Sequence, residues 1–280
     1  MRLERVAFVA SRADPAANLM AEELLSEIGS EEFRVDSVRA WLSRPEGEVL
    51  YARSESDLGA DGADLIVILS RHSGVPGSPV ITTHVSGNFG QAPYGGEPET
   101  LSTACPPFMK AFLRVVADSA LEIGFEPAQE PTHHGPTLET PLAFVEVGSN
   151  PEHWEIRGAA RLVVQSSLQA LRDLKNSEEN GPTFGYTLAV GFGGPHINHY
   201  FTEIQIKSPE LAIGHILRRH DASAASEEAI AQAFRRSCGP TNTAIVDWKG
   251  LRGEERARIL AILEDLGVRV LRARKVAHSL

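Results

Sequence analysis

Apolar positions along this chain recur with two periods, and the switches between them mark its elements. Arg5 to Ala10 is a short apolar run and reads as a first strand. Asp14-Pro15 then opens a helix whose Ala17, Met20, Leu24, Leu25 and Ile28 keep helical spacing until Gly29 stops it. Phe33 to Val38 alternates with period two, and Val49 to Ala52 reads as another short extended piece. Asp64 to Leu69 is continuously apolar, the pattern of a central strand covered on both faces. Ser70 to Pro79 is too rich in Gly and Pro to be regular, and Val80 to Thr83 follows as a strand. A helix is predicted over 103–123, entered through Pro106-Pro107 and closed by Gly124. Phe125 to Glu130 and Leu142 to Val147 are further strands.

Ser149-Asn150-Pro151-Glu152 has the form of a capping box, which predicts a helix through Trp154, Ala159, Leu162, Val163 and Leu171. Thr187 to Phe192 makes a strand. Phe201 to Ile206 alternates again, and Ser208-Pro209 looks like a helix start with Leu211, Ala212, Ile216 and Leu217 on its apolar side. A helix from Ser226 towards Ser237, a strand at Ala244 to Asp247, a helix over Glu254 to Leu266 and a last strand at Arg269 to Leu271 complete the pattern. Strands alternating with helices to the end predict an α/β fold: one three-layer α/β/α domain over 1–280 with a mixed, largely parallel sheet.

Charge and composition narrow the function. With 42% hydrophobic residues the 280-residue chain can bury a substantial core. Its 27 Lys and Arg against 37 Asp and Glu give a formal charge of -10, so bulk charge opposes binding to DNA or to anionic membranes. A polyanionic partner would need a local basic patch. Cys105 and Cys238 form no framework and read as small buried residues in a reducing cytoplasm. The first strand is short and carries an acid, unlike a signal peptide, and no apolar run approaches the roughly 18 residues of a membrane helix. A monomer or weak homo-oligomer is expected.

The chemistry concentrates in three stretches: Thr82-Thr83-His84-Val85-Ser86-Gly87-Asn88-Phe89-Gly90, Glu130-Pro131-Thr132-His133-His134-Gly135-Pro136-Thr137, and Val190-Gly191-Phe192-Gly193-Gly194-Pro195-His196. With His72 they place five of the ten histidines in loops beside predicted strand ends, where α/β folds open a crevice. Such a cluster suits metal ligation by neutral imidazoles, with Glu146 as an oxygen donor, or general acid/base catalysis. The metal pool is His84, His133, His134, His196 and Glu146; the catalytic candidates are His84, His133, His134 and Thr137. If the backbone is extended, His133 and His134 point to opposite faces, so only one would be a ligand. Thr83, Ser86, Gly87, Asn88, Phe89, Gly193, Gly194, Arg71 and His72 are expected to bind substrate, the glycine turns by letting backbone amides approach an anion. No HExxH, Gly-x-Ser-x-Gly or nucleotide-binding glycine motif is present in the sequence. Basic groups occur at Arg218-Arg219-His220, Arg235-Arg236 and Arg269 to Lys275.

The ordered set Thr83 to Gly90 with Tyr94-Gly95-Gly96, His133 to Thr137, Phe144-Val145-Glu146-Val147-Gly148-Ser149 and Gly191 to His196 resembles the archaeal and plant type of D-aminoacyl-tRNA deacylase, known also as the second type of D-tyrosyl-tRNA deacylase. Gly214-His215-Ile216 and Val246-Asp247-Trp248-Lys249-Gly250 look like further blocks of that family, so the resemblance covers most of the chain. It implies a single α/β domain similar to peptidyl-tRNA hydrolase or a phosphorylase, cleavage of the ester between a D-amino acid and the tRNA 3′ end, and zinc as cofactor. One block departs from the pattern: the family's Gly-Gly-x-His-Tyr would put Tyr directly after His196, where Ile197 stands, with Tyr200 three positions beyond. For the tRNA, Arg71 and His72 with Arg218, Arg219 and the Arg272, Arg274, Lys275 tail form the candidate patch. The rival readings are a small-substrate hydrolase or nucleoside-phosphorylase-like enzyme, and a tRNA-end-binding module without turnover.

Overall fold

A computed structural model describes residues 2–74 and 77–280; Val75 and Pro76, within the predicted Gly/Pro loop, lie outside the described residues. In chain order the elements are β1 (Arg5–Ala10), α1 (Pro15–Ile28), β2 (Glu32–Val35), β3 (Val38–Ser43), β4 (Leu65–Arg71), β5 (Val80–His84), α2 (Pro106–Glu122), β6 (Glu126–Gln129) and β7 (Leu142–Gly148). Then follow α3 (Pro151–Trp154), α4 (Arg157–Asn176), β8 (Thr187–Phe192), α5 (His199–Lys207), β9 (Leu211–Leu217), α6 (Glu227–Arg235), β10 (Thr241–Val246), α7 (Gly253–Asp265), β11 (Arg269–Arg272) and α8 (Ala273–Ala277).

The α/β class and the mixed, mostly parallel pairing agree with the sequence, but the strands form two sheets. Seven run in the order β2-β3-β1-β4-β7-β5-β6, and four in the order β11-β10-β8-β9. The four-stranded sheet is parallel throughout. In the larger sheet β3, β1, β4 and β7 are parallel, β2 is antiparallel to β3, and β5 turns antiparallel to β7 with β6 parallel to it. Asp14 caps α1 as its Pro-led start predicts, and the αL glycine Gly29 ends it. In the smaller sheet the strand period decides the packing: Val190, Phe192, Ala244 and Val246 face one core, and Ala189 and Ile245 face another.

Local readings fail where a cap signal competes with a burial pattern. Phe201 to Ile206 is helix α5, capped by Asn198, and buries Phe201, Thr202, Ile204 and Gln205 at helical spacing. Leu211 to Leu217 is strand β9 rather than a helix, an apolar run buried from Ala212 onward, while the Ser208 hydroxyl accepts from the amide of Leu211. Val49–Tyr51 is a 3-10 turn. Phe33 to Val38 is split between β2 and β3 by Asp36, whose φ of 52° turns the chain into a hairpin. The cap before α3 is Asn150, which accepts from the amide of His153; Ser149 Oγ donates instead to Ser78 O, and the helix restarts at Arg157.

Candidate functional site

The site forms on the face of the larger sheet where β4, β7 and β5 run side by side. Ser70, Glu146 and Thr82 share one register row, and His84 lies two residues beyond Thr82 on the same face, opposite Phe144. The His84 ring stacks on Phe144, centroids 4.7 Å apart. Because β5 and β6 run against β4 and β7, the loops that follow them come from the opposite end of the sheet. The residues therefore converge over the sheet face rather than beyond one common strand end, which corrects the crevice expected from sequence. His72 follows β4, and Gly148 leaves room for it: a Cβ there would lie 2.5 Å from His72 Cβ. The chain after β6 supplies Glu130, His133 and His134, and the loop after β8 supplies His196.

Residues 129–134 join the two sheets. The Gln129 side-chain amide donates to Ile213 O at 2.8 Å, and the Thr132 amide donates to Ile216 O at 3.0 Å. His215 bridges the Thr132 hydroxyl and the Arg236 carbonyl at 3.0 and 2.9 Å. Burial pushes the His215 pKa down to about 4, so it acts as a neutral fastener.

Two sets of donors lie side by side. His84, His133 and His134 each offer a ring nitrogen within 4.8 Å of the others, and His72, Glu130 and His196 do the same. In the first set the protein fixes the tautomers. His133 Nδ1 is 2.8 Å from Pro131 O and His134 Nδ1 is 2.6 Å from Gly135 O; carbonyls only accept, so Nδ1 carries the proton and Nε2 keeps its lone pair. Metal-ligating histidines are held in this manner. Burial, reinforced by the charge of His84, holds His133 well below its ordinary pKa and His134 down to about 4. His134 takes a left-handed φ of 46°, which brings its ring to 4.3 Å from that of His133. Both rings thus face the same cluster, and the expectation of opposite faces fails because the backbone is not extended. His84 is completely buried with neither ring nitrogen hydrogen-bonded. Its nearest carboxylate oxygen, Glu146 Oε1, is 3.5 Å from Nε2. Burial works against a charged His84, yet that carboxylate raises its pKa.

The second set is ion-paired around Glu130, with Arg218 and Glu146 as further partners. His196 Nδ1 accepts from the Arg218 guanidinium at 2.8 Å, so Nε2 donates to Glu130 Oε2 at 2.6 Å. His72 Nδ1 lies 2.9 Å from Glu130 Oε1 and 3.5 Å from Glu146 Oε2. Burial opposes charge on His72, but the two carboxylates raise its pKa to about 10. Burial would likewise raise the two carboxyls, and their histidine partners hold both low instead. The orphaned nitrogens of His84, the fixed lone pairs of His133 and His134, and the neighbouring carboxylate set form a donor arrangement that fits a bound metal.

A cavity of about 460 Å³ opens onto this cluster, lined by Arg71, His72, Tyr94, Glu146 and His196 among others. Arg71 pairs with Glu48 at 3.0 Å and with the buried Asp14 at 3.6 Å. Several expected residues do structural work instead. Thr137 Oγ1 accepts from the Glu97 amide, Asn88 Nδ2 donates to Gly95 O, Ser86 Oγ donates to Pro136 O, and Thr83 Oγ1 donates to Phe144 O. The amides of Gly87, Asn88, Gly193 and Gly194 donate to the carbonyls of His134, Thr100, Leu217 and Gly250, so none is open to an anion. Gly87 is required by its left-handed φ of 141° and by Leu101 Cα, 2.6 Å from where a Cβ would stand. Phe89 lines a neighbouring cavity. In the basic tail, Arg272 lies 4.2 Å over the Trp248 ring. Glu130, Asp14, Tyr51 and Tyr94 were not among the expected site residues. For Glu130 the signal was present: a lone carboxylate before Pro131 at the head of the histidine motif.

A family profile described as D-aminoacyl-tRNA deacylase matches residues 60–271. The chain is 42% identical over 276 residues to a D-aminoacyl-tRNA deacylase of Korarchaeum cryptofilum, covering 99% of this chain and 96% of the relative. It is 35% identical over 210 residues to the D-aminoacyl-tRNA deacylase of Thermococcus kodakarensis, covering 75% and 74% of the two chains. A crystal structure described as a conserved protein of unknown function superposes with a TM-score of 0.84 at 28% identity, covering 99% of this chain and 97% of that one. Among the described residues no helix is long and apolar enough to cross a membrane.

Proposed function

The chain belongs to the D-aminoacyl-tRNA deacylase family, and from that premise we propose how its histidine cavity works. The protein hydrolyses the ester of D-aminoacyl-tRNA to free D-amino acid and tRNA, a proofreading reaction. This activity places it with enzymes and sets aside a binding module without turnover. We propose that the chain acts as one domain, a reading supported by residues 129–134, which are hydrogen-bonded across to the smaller sheet.

The observation that carries the mechanism is the pair of donor sets meeting at Glu146. Imidazole with carboxylate is a zinc donor set, and His84, His133 and His134 would hold one ion, with His72, Glu130 and His196 as the adjoining set. When bound, zinc supplies electrophilic assistance to ester hydrolysis. The chain's own groups do the rest. Glu146 faces the cavity, and its carboxylate takes the proton leaving the attacking water as the new bond forms at the ester carbon. That proton passes to the ribose oxygen as the old ester bond breaks, and the D-amino acid leaves as its carboxylate once the remaining water proton is lost to solvent. Glu130 holds His72 and His196 in position, and Arg218 fixes the His196 tautomer.

Purified protein incubated with D- and L-tyrosyl-tRNA tests the reading. The D-ester is expected to be lost and the L-ester spared; equal rates on both would overturn the chiral selection. Elemental analysis of protein purified without added metal tests the ion. Zinc at one or more per chain supports the donor assignment, and a metal-free, fully active enzyme would leave histidine and Glu146 acid/base catalysis in its place.

A further inference from the structure

We propose that two cavities meeting at the His133–His134 pair divide the substrate: the terminal adenosine seats against Pro93 and Ala224, and the aminoacyl group enters beside Asp14, Glu48 and Arg71. The division rests on the deacylase reading and adds the placement of each half.

Each cavity measures about 460 Å³, and Tyr94, His133 and His134 belong to both. The volume is within the roughly 300–1,000 Å³ of ligand clefts. An aminoacyl ester has its reacting carbonyl between a ribose and an amino acid, so a donor pair standing between two cavities leaves one for each half. The walls differ in the way the halves differ. On one side the exposed Pro93 and Ala224 form an apolar wall over the buried Phe89, with Arg218, His220 and Asp221 at its edge. Arg218 and His220 also border an adjoining hollow of about 570 Å³ that holds Arg219 and Arg252. Arg218 is matched by Asp221 at 2.6 Å, whereas Arg219 is exposed. An apolar wall beside the exposed Tyr94 ring accepts a nucleobase, and Arg219, beyond the Arg218–Asp221 and Arg252–Glu255 pairs, accepts the phosphate that precedes it. On the other side three carboxylates, Asp14, Glu48 and Glu146, stand against two cationic groups, Arg71 and His72, and the remaining negative excess suits the α-ammonium of an aminoacyl ester. Tyr94, 67% exposed at the rim common to both, presents its ring where the terminal base must pass.

The test compares wild type with Ala224→Phe, Arg219→Glu and Glu48→Gln, using D-tyrosyl-tRNA as substrate and adenosine 5′-monophosphate and adenosine as competitors. Ala224 and Arg219 are exposed, so neither change removes a buried group. Ala224→Phe is expected to raise KM about tenfold or more and to weaken inhibition by both competitors comparably, since it fills the space a stacked base would use. Arg219→Glu is expected to weaken the monophosphate but not adenosine. Glu48→Gln is expected to raise KM for the ester while leaving both competitors unchanged. A wild type without turnover would sink the deacylase reading itself. If wild type turns over and Ala224→Phe leaves KM and inhibition unchanged, or Glu48→Gln abolishes the inhibition, the division is wrong.

Discussion

The two donor sets, three histidines and two histidines with a glutamate, lie side by side yet are partnered differently. In one, His72 and His196 lean on Glu130, every member has a partner within the set, and burial is offset by ion pairing. In the other, His84 is buried with no hydrogen bond to either ring nitrogen and Glu146 only as near as 3.5 Å, while His133 and His134 donate to backbone carbonyls and turn bare nitrogens inward. A buried polar group left without a partner costs about 1–3 kcal/mol, so a protein that keeps one there holds it for something else. The contrast separates a set ion-paired within the protein from one whose free lone pairs await what it binds.

Glu146, between the two sets, gives the largest expected effect. Glu146→Gln keeps the shape but removes the acceptor of the water proton, and kcat should fall by about 10²- to 10⁴-fold with little change in KM. Near-wild-type kcat would exclude the carboxylate as base and leave the contrast without a chemical centre.

Stability of chelator-treated protein tests the contrast directly. Glu130→Leu strips His72 and His196 of their carboxylate and should cost about 3–5 kcal/mol by urea unfolding, the scale for breaking a buried pair. His84→Leu removes a group with no hydrogen bond and keeps an apolar side chain against Phe144, so it should cost far less while lowering bound zinc. Equal losses would show that both sets are structural.

The same physics outside the site predicts a pH effect. Lys110 is completely buried and donates only to Gln205 O, at 2.7 Å. Burial, with Arg114 nearby, lowers its pKa from 10.5 to about 7. Between those values the unfolded chain carries the proton and the folded chain does not, so stability rises with pH from about 7 to about 10.5 and is lost as pH falls through that window. Lys110→Met should flatten this rise. The measurement is the difference in urea midpoint between pH 7.5 and 9.5 for the two proteins; an identical difference would refute it.

The smallest effect concerns the tail. Replacing Arg272, Arg274 and Lys275 with Ala should raise KM for full tRNA modestly and reduce its salt slope, since fewer counterions are released. Arg272 already stacks on Trp248, so its contribution is expected to be the least of the three. An unchanged KM and salt slope would confine phosphate contact to the Arg218 side.

The sequence by itself determined the α/β class, most strand and helix positions, the histidines that matter and, through its ordered motifs, the family. These are local or periodic properties: Asp14-Pro15 caps a helix and Leu65 to Leu69 is apolar on both faces whatever lies beside them. It could not distinguish α5 from β9, because Asn198 and Ser208 both look like caps and only burial by neighbouring elements separates helix from strand. Whether His133 and His134 share a face depended on whether the backbone there is extended, and the left-handed turn at His134 decided it. Glu130, missed by pattern, became central because β5 and β6 run against β7 and carry their following loops back over the sheet face. Which histidines are satisfied and which are left open was decided there too, since pairing depends on strand order and direction, long-range contacts that no spacing along the chain encodes.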